Sequence, residues 1–120
     1  MRYRRVLIPG ATYFFTVNLL DRKSNLLVDQ IDKLRTSFHK VRNLYPFEID
    51  GIVILPDHFH MMMTLPEEDR NYSLRLRLIK GYLSRQIESK EYINPVRKKK
   101  SERGIWQRRF WEHLIRDEKD

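Results

Sequence analysis

Apolar and polar positions along the chain switch between two periods, and the switches mark out six elements. After a Pro9-Gly10 turn, Ala11 to Leu20 is rich in β-branched and aromatic residues and predicts a first strand. A polar turn at Asp21 to Asn25 follows, and then Leu27, Ile31, Leu34, Phe38, Val41 and Tyr45 recur at three- and four-residue steps. That spacing predicts an amphipathic helix from about Val28, stopped before Pro46. His39 lies off the stripe and reads as a surface histidine. Phe47 to Leu55 returns to a strand pattern, and Pro56-Asp57 turns it into a further strand running from His58 to Leu65. Two strands joined this tightly must be antiparallel neighbours. A polar loop from Glu67 to Asn71 leads to a second helix, with Ser73 as its predicted N-cap and Leu76, Ile79, Leu83 and Ile87 as its buried stripe. Ser89 to Gly104 carries charge without periodicity and is expected to be an exposed, mobile connection. Ile105 to Arg116 resumes a strand-like pattern.

Strand, helix, strand, strand, helix, strand is the order of a ferredoxin-like α+β fold. It makes an antiparallel sheet with both helices on one face and the other face free for a site. With 120 residues the chain has room for one domain and one modest core, spanning residues 1–120 with the core at about 9–118.

Charge changes the picture. Lys and Arg number 24 against 16 acidic residues, a formal net charge of +8, so the field of the whole chain favours a polyanion and nucleic acid is the first candidate partner. Fourteen of the basic residues lie between Arg70 and Arg116, including the run Arg97, Lys98, Lys99 and Lys100, with Tyr72, Tyr82, Tyr92, Trp106, Phe110 and Trp111 interspersed. Cations neutralise phosphates and exposed rings stack on unpaired bases, which suits single-stranded or hairpin nucleic acid better than a uniform duplex. The plainer reading is that most of these rings are core. Cysteine is absent, which excludes disulfides, thiolate metal sites and a cysteine nucleophile and accords with a reducing cytoplasm. No apolar run approaches the roughly 18 residues of a membrane span, so the reading is a cytoplasmic protein with no membrane partner.

The candidate chemistry lies in Pro56-Asp57-His58-Phe59-His60. Side chains alternate across a strand, so His58 and His60 share one face with Met62 and Thr64 while Phe59, Met61, Met63 and Leu65 share the other. Two imidazoles about 6 to 7 Å apart along a strand can reach one divalent cation if that face meets solvent or a cleft. The same triplet also fits two surface or internally hydrogen-bonded histidines.

Four separated stretches carry a resemblance that spans nearly the whole chain. Pro9 to Leu19, Leu55 to His60, Thr64-Leu65-Pro66 and Ile105 to Asp117, in that order, resemble the REP-associated tyrosine transposases. These are single-tyrosine transposases of insertion sequences, named HUH for a His-hydrophobic-His motif. The resemblance implies a ferredoxin-like domain that binds single-stranded or hairpin DNA, with Mg²⁺ or Mn²⁺ held by His58 and His60 and no small-molecule cofactor. It implies cleavage and rejoining of DNA through a 5′-phosphotyrosine, and a monomer in preference to a dimer. In the family the nucleophilic tyrosine and a third metal ligand follow on a helix after the last strand, whereas this sequence stops at Asp120. The expectation is therefore a chain without its nucleophile and inactive by itself. Tyr92, in Glu91-Tyr92-Ile93-Asn94-Pro95, echoes the family's nucleophile segment but precedes the last strand. Asp57, and Glu112 with His113, are candidates to complete the metal shell. Arg97, Lys98, Lys99, Lys100, Arg108 and Arg109 are the candidate DNA-binding residues. Two other readings stay open: a regulator that binds nucleic acid without chemistry, and a metal nuclease using water with Glu112 as base.

Overall fold

The computed structural model describes residues 7–116. Its elements run β1 (Thr12–Asn18), α1 (Leu26–Asp29), α2 (Ile31–Leu44), β2 (Glu48–Ile54), β3 (His58–Thr64), α3 (Tyr72–Arg85), α4 (Pro95–Lys99) and β4 (Trp111–Ile115). The strands form one sheet in the order β2-β3-β1-β4, every neighbour antiparallel. This is the expected ferredoxin-like α+β arrangement. Tyr13, Phe15 and Val17 of β1 and Phe59, Met61 and Met63 of β3 are fully buried, together with Leu34 and Val41 of α2 and Leu76, Ile79 and Leu83 of α3. The core therefore lies between the sheet and the helical layer, and the alternate residues of the two central strands form an open face.

Local departures from the periodic reading each have a cause. The first helix is split: α1 ends at Asp29 and Gln30 leaves helical geometry before α2 begins. The apolar steps from Leu27 through Leu34 run across the break unchanged, so periodicity could not reveal it. The N-cap of α3 is Asn71, whose side chain accepts from the Leu74 N–H, rather than Ser73. Tyr72, which a cap at Ser73 would leave outside the helix, is its first residue and is fully buried. The last strand is shorter than the twelve-residue run expected, because Trp106 turns into the core and forms only an isolated bridge with Leu19. Gly10 turns the chain into β1 with a φ of 71°, where a Cβ would lie 3.0 Å from the Glu67 carbonyl oxygen.

The largest correction concerns Ser89 to Gly104. It is not an unstructured connection: Asn94 caps α4 by accepting from Arg97 N–H, and Arg103 clamps the whole segment. The Arg103 guanidinium holds both carboxylate oxygens of Glu91 at 2.9 Å and also donates to the carbonyls of Ser84, Ile87 and Glu88 at the end of α3. Next to it, a Cβ on Gly104 would fall 2.3 Å from the Tyr92 carbonyl oxygen, so only glycine lets the two ends of the segment close. The hydrogen bonds from Arg103 pull the Glu91 carboxyl down from 4.5 to about 2. A carboxyl whose folded value is depressed contributes stability above its unfolded value and loses it as pH falls through the folded one. Opening of this segment is thus expected to rise between about pH 4.5 and pH 2. Amide exchange across residues 88–104 reads this directly, and Glu91→Gln should already be open at neutral pH with no acid step. An unchanged acid profile in that variant would refute the clamp.

Candidate functional site

Strand β3 enters from the three-residue link Leu55-Pro56-Asp57, and Phe59, buried between Phe38 and Trp106 with both rings edge-on, fixes its register against the core. The alternation that buries Phe59 turns His58 and His60 to the open face. There the imidazole centroids are 4.9 Å apart with their planes at 81°. Each ring is held through Nδ1: His58 by the Asp57 carboxylate at 2.8 Å, and His60 by the Thr16 hydroxyl at 2.9 Å. Asp57 in turn accepts from the Arg22 Nε. The hydrogen bonds from Arg22 and then His58 lower its carboxyl to about 2, so it is ionised and can only accept. His58 must then carry its proton on Nδ1, leaving the Nε2 lone pair outward. His60 reaches the same state when Nδ1–H donates to Thr16. A carboxylate or hydroxyl behind an imidazole is the arrangement that orients a metal-ligating histidine.

The rest of the open face is aromatic and polar. Phe14 stacks on His60 with centroids 5.5 Å apart and meets Trp111 edge-on at 6.0 Å, while Trp111 stacks on His113 at 5.9 Å. Trp111 is 54% exposed, so of the aromatics in the basic half it is the one presented beside the histidines; Tyr72 and Trp106 belong to the core. Thr12, Thr64 and Asp50 form a hydrogen-bonded chain at the far end of the same face.

The remaining sequence candidates separate. His113 faces Phe14 across the β1–β4 ladder, on the histidine side. Glu112 faces Phe15, whose side chain is fully buried under the helices, so Glu112 lies on the other side of the sheet from His58 and His60. Lys98, Lys99 and Lys100 are exposed on and after α4. Arg97, expected beside them, is only 7% exposed and donates to the Arg103 carbonyl. Arg108 is exposed and pairs with Glu102, and Arg109 lies on a groove with Arg97, Gln107 and Arg108. The residues that sequence reasoning missed are Thr16 and Arg22, which complete the support of the histidines, and Lys80 and Gln107, which a hydrogen bond joins. Thr16 could have been found from the alternation of β1; the pairing of Arg22 with Asp57, 35 positions away, has no local signal.

Among the described residues no cluster of three or more His, Cys, Asp or Glu side chains converges on a point where a metal ion could be held. No helix of the described residues is long and apolar enough to cross a membrane.

Residues 11–118 match the family model described as transposase IS200 like. A Haemophilus influenzae protein assigned as a REP-associated tyrosine transposase is 48% identical over 119 residues, covering 98% of this chain and 68% of its own length. The Escherichia coli REP-associated tyrosine transposase is 46% identical over 118 residues, covering 98% of this chain and 64% of its own. The structure of a REP-associated tyrosine transposase bound to a REP hairpin superposes with a TM-score of 0.81 at 43% identity, covering 99% of this chain and 64% of that one. The chain thus spans about two thirds of the length of these relatives.

Proposed function

Because the chain belongs to the transposase IS200-like family, we propose that it is the DNA-binding core of a REP-associated tyrosine transposase, taking single-stranded or hairpin DNA across its open sheet face. The observation that carries this reading is the pair His58 and His60, turned to one open face with Nδ1 of each held from behind by Asp57 and Thr16. The relative that holds a REP hairpin supports hairpin DNA as the ligand. The +8 charge supports a polyanion, and Trp111 stands ready to stack on an unpaired base.

The donor set fits a divalent cation such as Mg²⁺ or Mn²⁺, with His58 and His60 as its protein ligands and oxygens completing the shell, since such hard ions keep several oxygen ligands. When bound, the cation supplies Lewis acidity toward a phosphate oxygen. The protein's own part is to orient the imidazoles, to hold the Asp57 charge beside His58, and to position bases through Phe14 and Trp111. None of the described tyrosines stands on the open face as a nucleophile. Tyr13 and Tyr72 are buried, Tyr82 stacks under Arg85 on the helical layer, Tyr45 caps α2, and Tyr92 is 80% exposed in the clamped segment. We therefore assign residues 7–116 binding and metal support, with the phosphotyrosine chemistry of the family supplied by a tyrosine outside them. Cleavage-free regulation is the second reading, favoured by the same lack of a tyrosine on the face.

The test is labelled single-stranded DNA with a REP-like hairpin, with Mn²⁺ or EDTA, on native and denaturing gels. A native shift without a covalent adduct is expected. Mn²⁺ titration followed by electron paramagnetic resonance should show binding that falls at least tenfold in His58→Ala and in His60→Ala. A covalent adduct mapped to a tyrosine within residues 7–116 would overturn the placement of the nucleophile, and Mn²⁺ binding unaffected by both substitutions would overturn the metal assignment.

A further inference from the structure

Behind the C-terminal end of β1 lies a cavity of about 350 Å³ whose lining includes Lys80, Arg85, Arg97, Arg103 and Arg108, with Glu102 as the one carboxylate. Two of these cations are already matched: Arg103 by Glu91 and Arg108 by Glu102. Among the described residues no carboxylate is within ion-pair distance of Lys80, Arg85 or Arg97. Lys80 uses one of its three donors, on the Gln107 carbonyl at 2.8 Å, and Arg97 uses Nη1 on the Arg103 carbonyl. Burial first, and then the charge of Arg97, push the Lys80 ammonium down to about 8. A hydroxyl, Ser84, also lines the cavity.

The cavity is tied to the histidine face through one residue. Gln107 accepts from Lys80, its N–H donates to the Asn18 carbonyl at 3.0 Å, and its side-chain amide donates to the Leu19 carbonyl. Asn18 is the register partner of His58. A strand of nucleic acid leaving the histidines past Asn18 therefore meets Gln107 and then the cationic cavity. A groove sharing Arg97, Gln107 and Arg108 and adding Arg109 continues the same path.

We propose that this cavity is a second DNA contact, a seat for one backbone phosphate of the strand that crosses the histidine face, bound by Lys80, Arg97 and Arg85. The proposal rests on the DNA-binding reading above and adds to it a site on the helical side of the sheet. Seating a phosphate supplies the missing negative charge, and contact with the backbone alone makes the site indifferent to base sequence.

The probe is a fluorescent hairpin oligonucleotide with a single-stranded extension, read by anisotropy over a salt series. Lys80→Met, which keeps the aliphatic stem, should weaken binding on the order of tenfold and reduce the log-log salt slope by about 0.7, one phosphate on a single strand. Lys80→Arg should bind as the native protein does. In a scan of single neutral methylphosphonates, one position should cost the native protein at least as much as Lys80→Met costs, and should cost the Lys80→Met variant clearly less than it costs the native protein. Should Lys80→Met fail to fold, Arg85→Gln carries the same test, with a loss of about threefold expected. Native affinity and slope in these variants, or no methylphosphonate position that matches them, would overturn the seat while leaving DNA binding intact. A native protein that does not bind the oligonucleotide at all would instead overturn the DNA-binding reading, and the seat with it. A Lys80 resonance that responds to inorganic phosphate but not to the oligonucleotide would assign the cavity to a free anion and overturn the proposal.

Discussion

Phe59→Ala is expected to destabilise the fold by about 4 kcal/mol, the middle of the range for deleting a fully buried phenylalanine ring. The ring has no exposed surface and sits edge-on to Phe38, 5.5 Å away in α2, and to Trp106, 6.1 Å away in the segment before β4. Its removal leaves a cavity bounded by three elements that cannot all collapse into it, so the cavity cost adds to the lost transfer free energy. For a domain of this size the melting temperature should fall on the order of 15 °C. Phe59→Leu should recover most of the loss. Because Phe59 lies between His58 and His60 in one strand, the alanine variant should also lose Mn²⁺ affinity while folded at low temperature. A destabilisation under 1 kcal/mol in a denaturant melt would show that this ring does not anchor β3.

Arg75→Met is expected to cost about 3 kcal/mol, the low end for breaking a buried ion pair from one side. The guanidinium is 1% exposed and binds both oxygens of Asp69 and the carbonyls of Tyr45, Pro46 and Asn71. It thus ties the first turn of α3 to the link between α2 and β2. Methionine fills the space but leaves three carbonyls and a carboxylate without their donor. The low end applies because Asp69 is 35% exposed and water can reach it after the change. Asp69→Asn should cost less than half as much, since the three carbonyl bonds survive. Equal losses in the two variants would mean that the ion pair, and not the carbonyls, carries the stabilisation.

The fold was legible where side-chain alternation or helical spacing reports burial. The strands around Phe14 and Val53 follow from their β-branched and aromatic residues between turns, the open side of the sheet from the order of the elements, and the shared face of the two histidines from period two. Arg75 was not legible, because a charge on the edge of an apolar stripe normally reads as solvated and only its carbonyl partners 29 and 30 positions away show otherwise. The same holds for the Arg103 clamp, whose partner Glu91 lies 12 positions back in a stretch without period. Arg97 misled in the opposite sense: inside a run of four cations it looks exposed like its neighbours, yet the single turn of α4 rotates it inward. Of the site, the histidines were readable from their own strand. Their supports, Thr16 and Arg22, come from elsewhere in the chain, and the Lys80 cavity depends on Gln107, a residue with no charge to draw notice.

The position of β1 in the sheet has a consequence for how the chain is made. Its two neighbours are β3 and β4, and Thr12 is paired with Thr64 on one side and with Ile115 on the other. The β2–β3 hairpin can close as soon as it is synthesised, but β1 waits first for β3 and then for β4, which begins only at Trp111, before its second edge is covered. During that interval Thr12 to Asn18, a run of aromatic and β-branched residues, presents an unpaired strand edge of the kind that associates between chains. Refolding yield should therefore fall with protein concentration long before the native protein itself shows any tendency to aggregate.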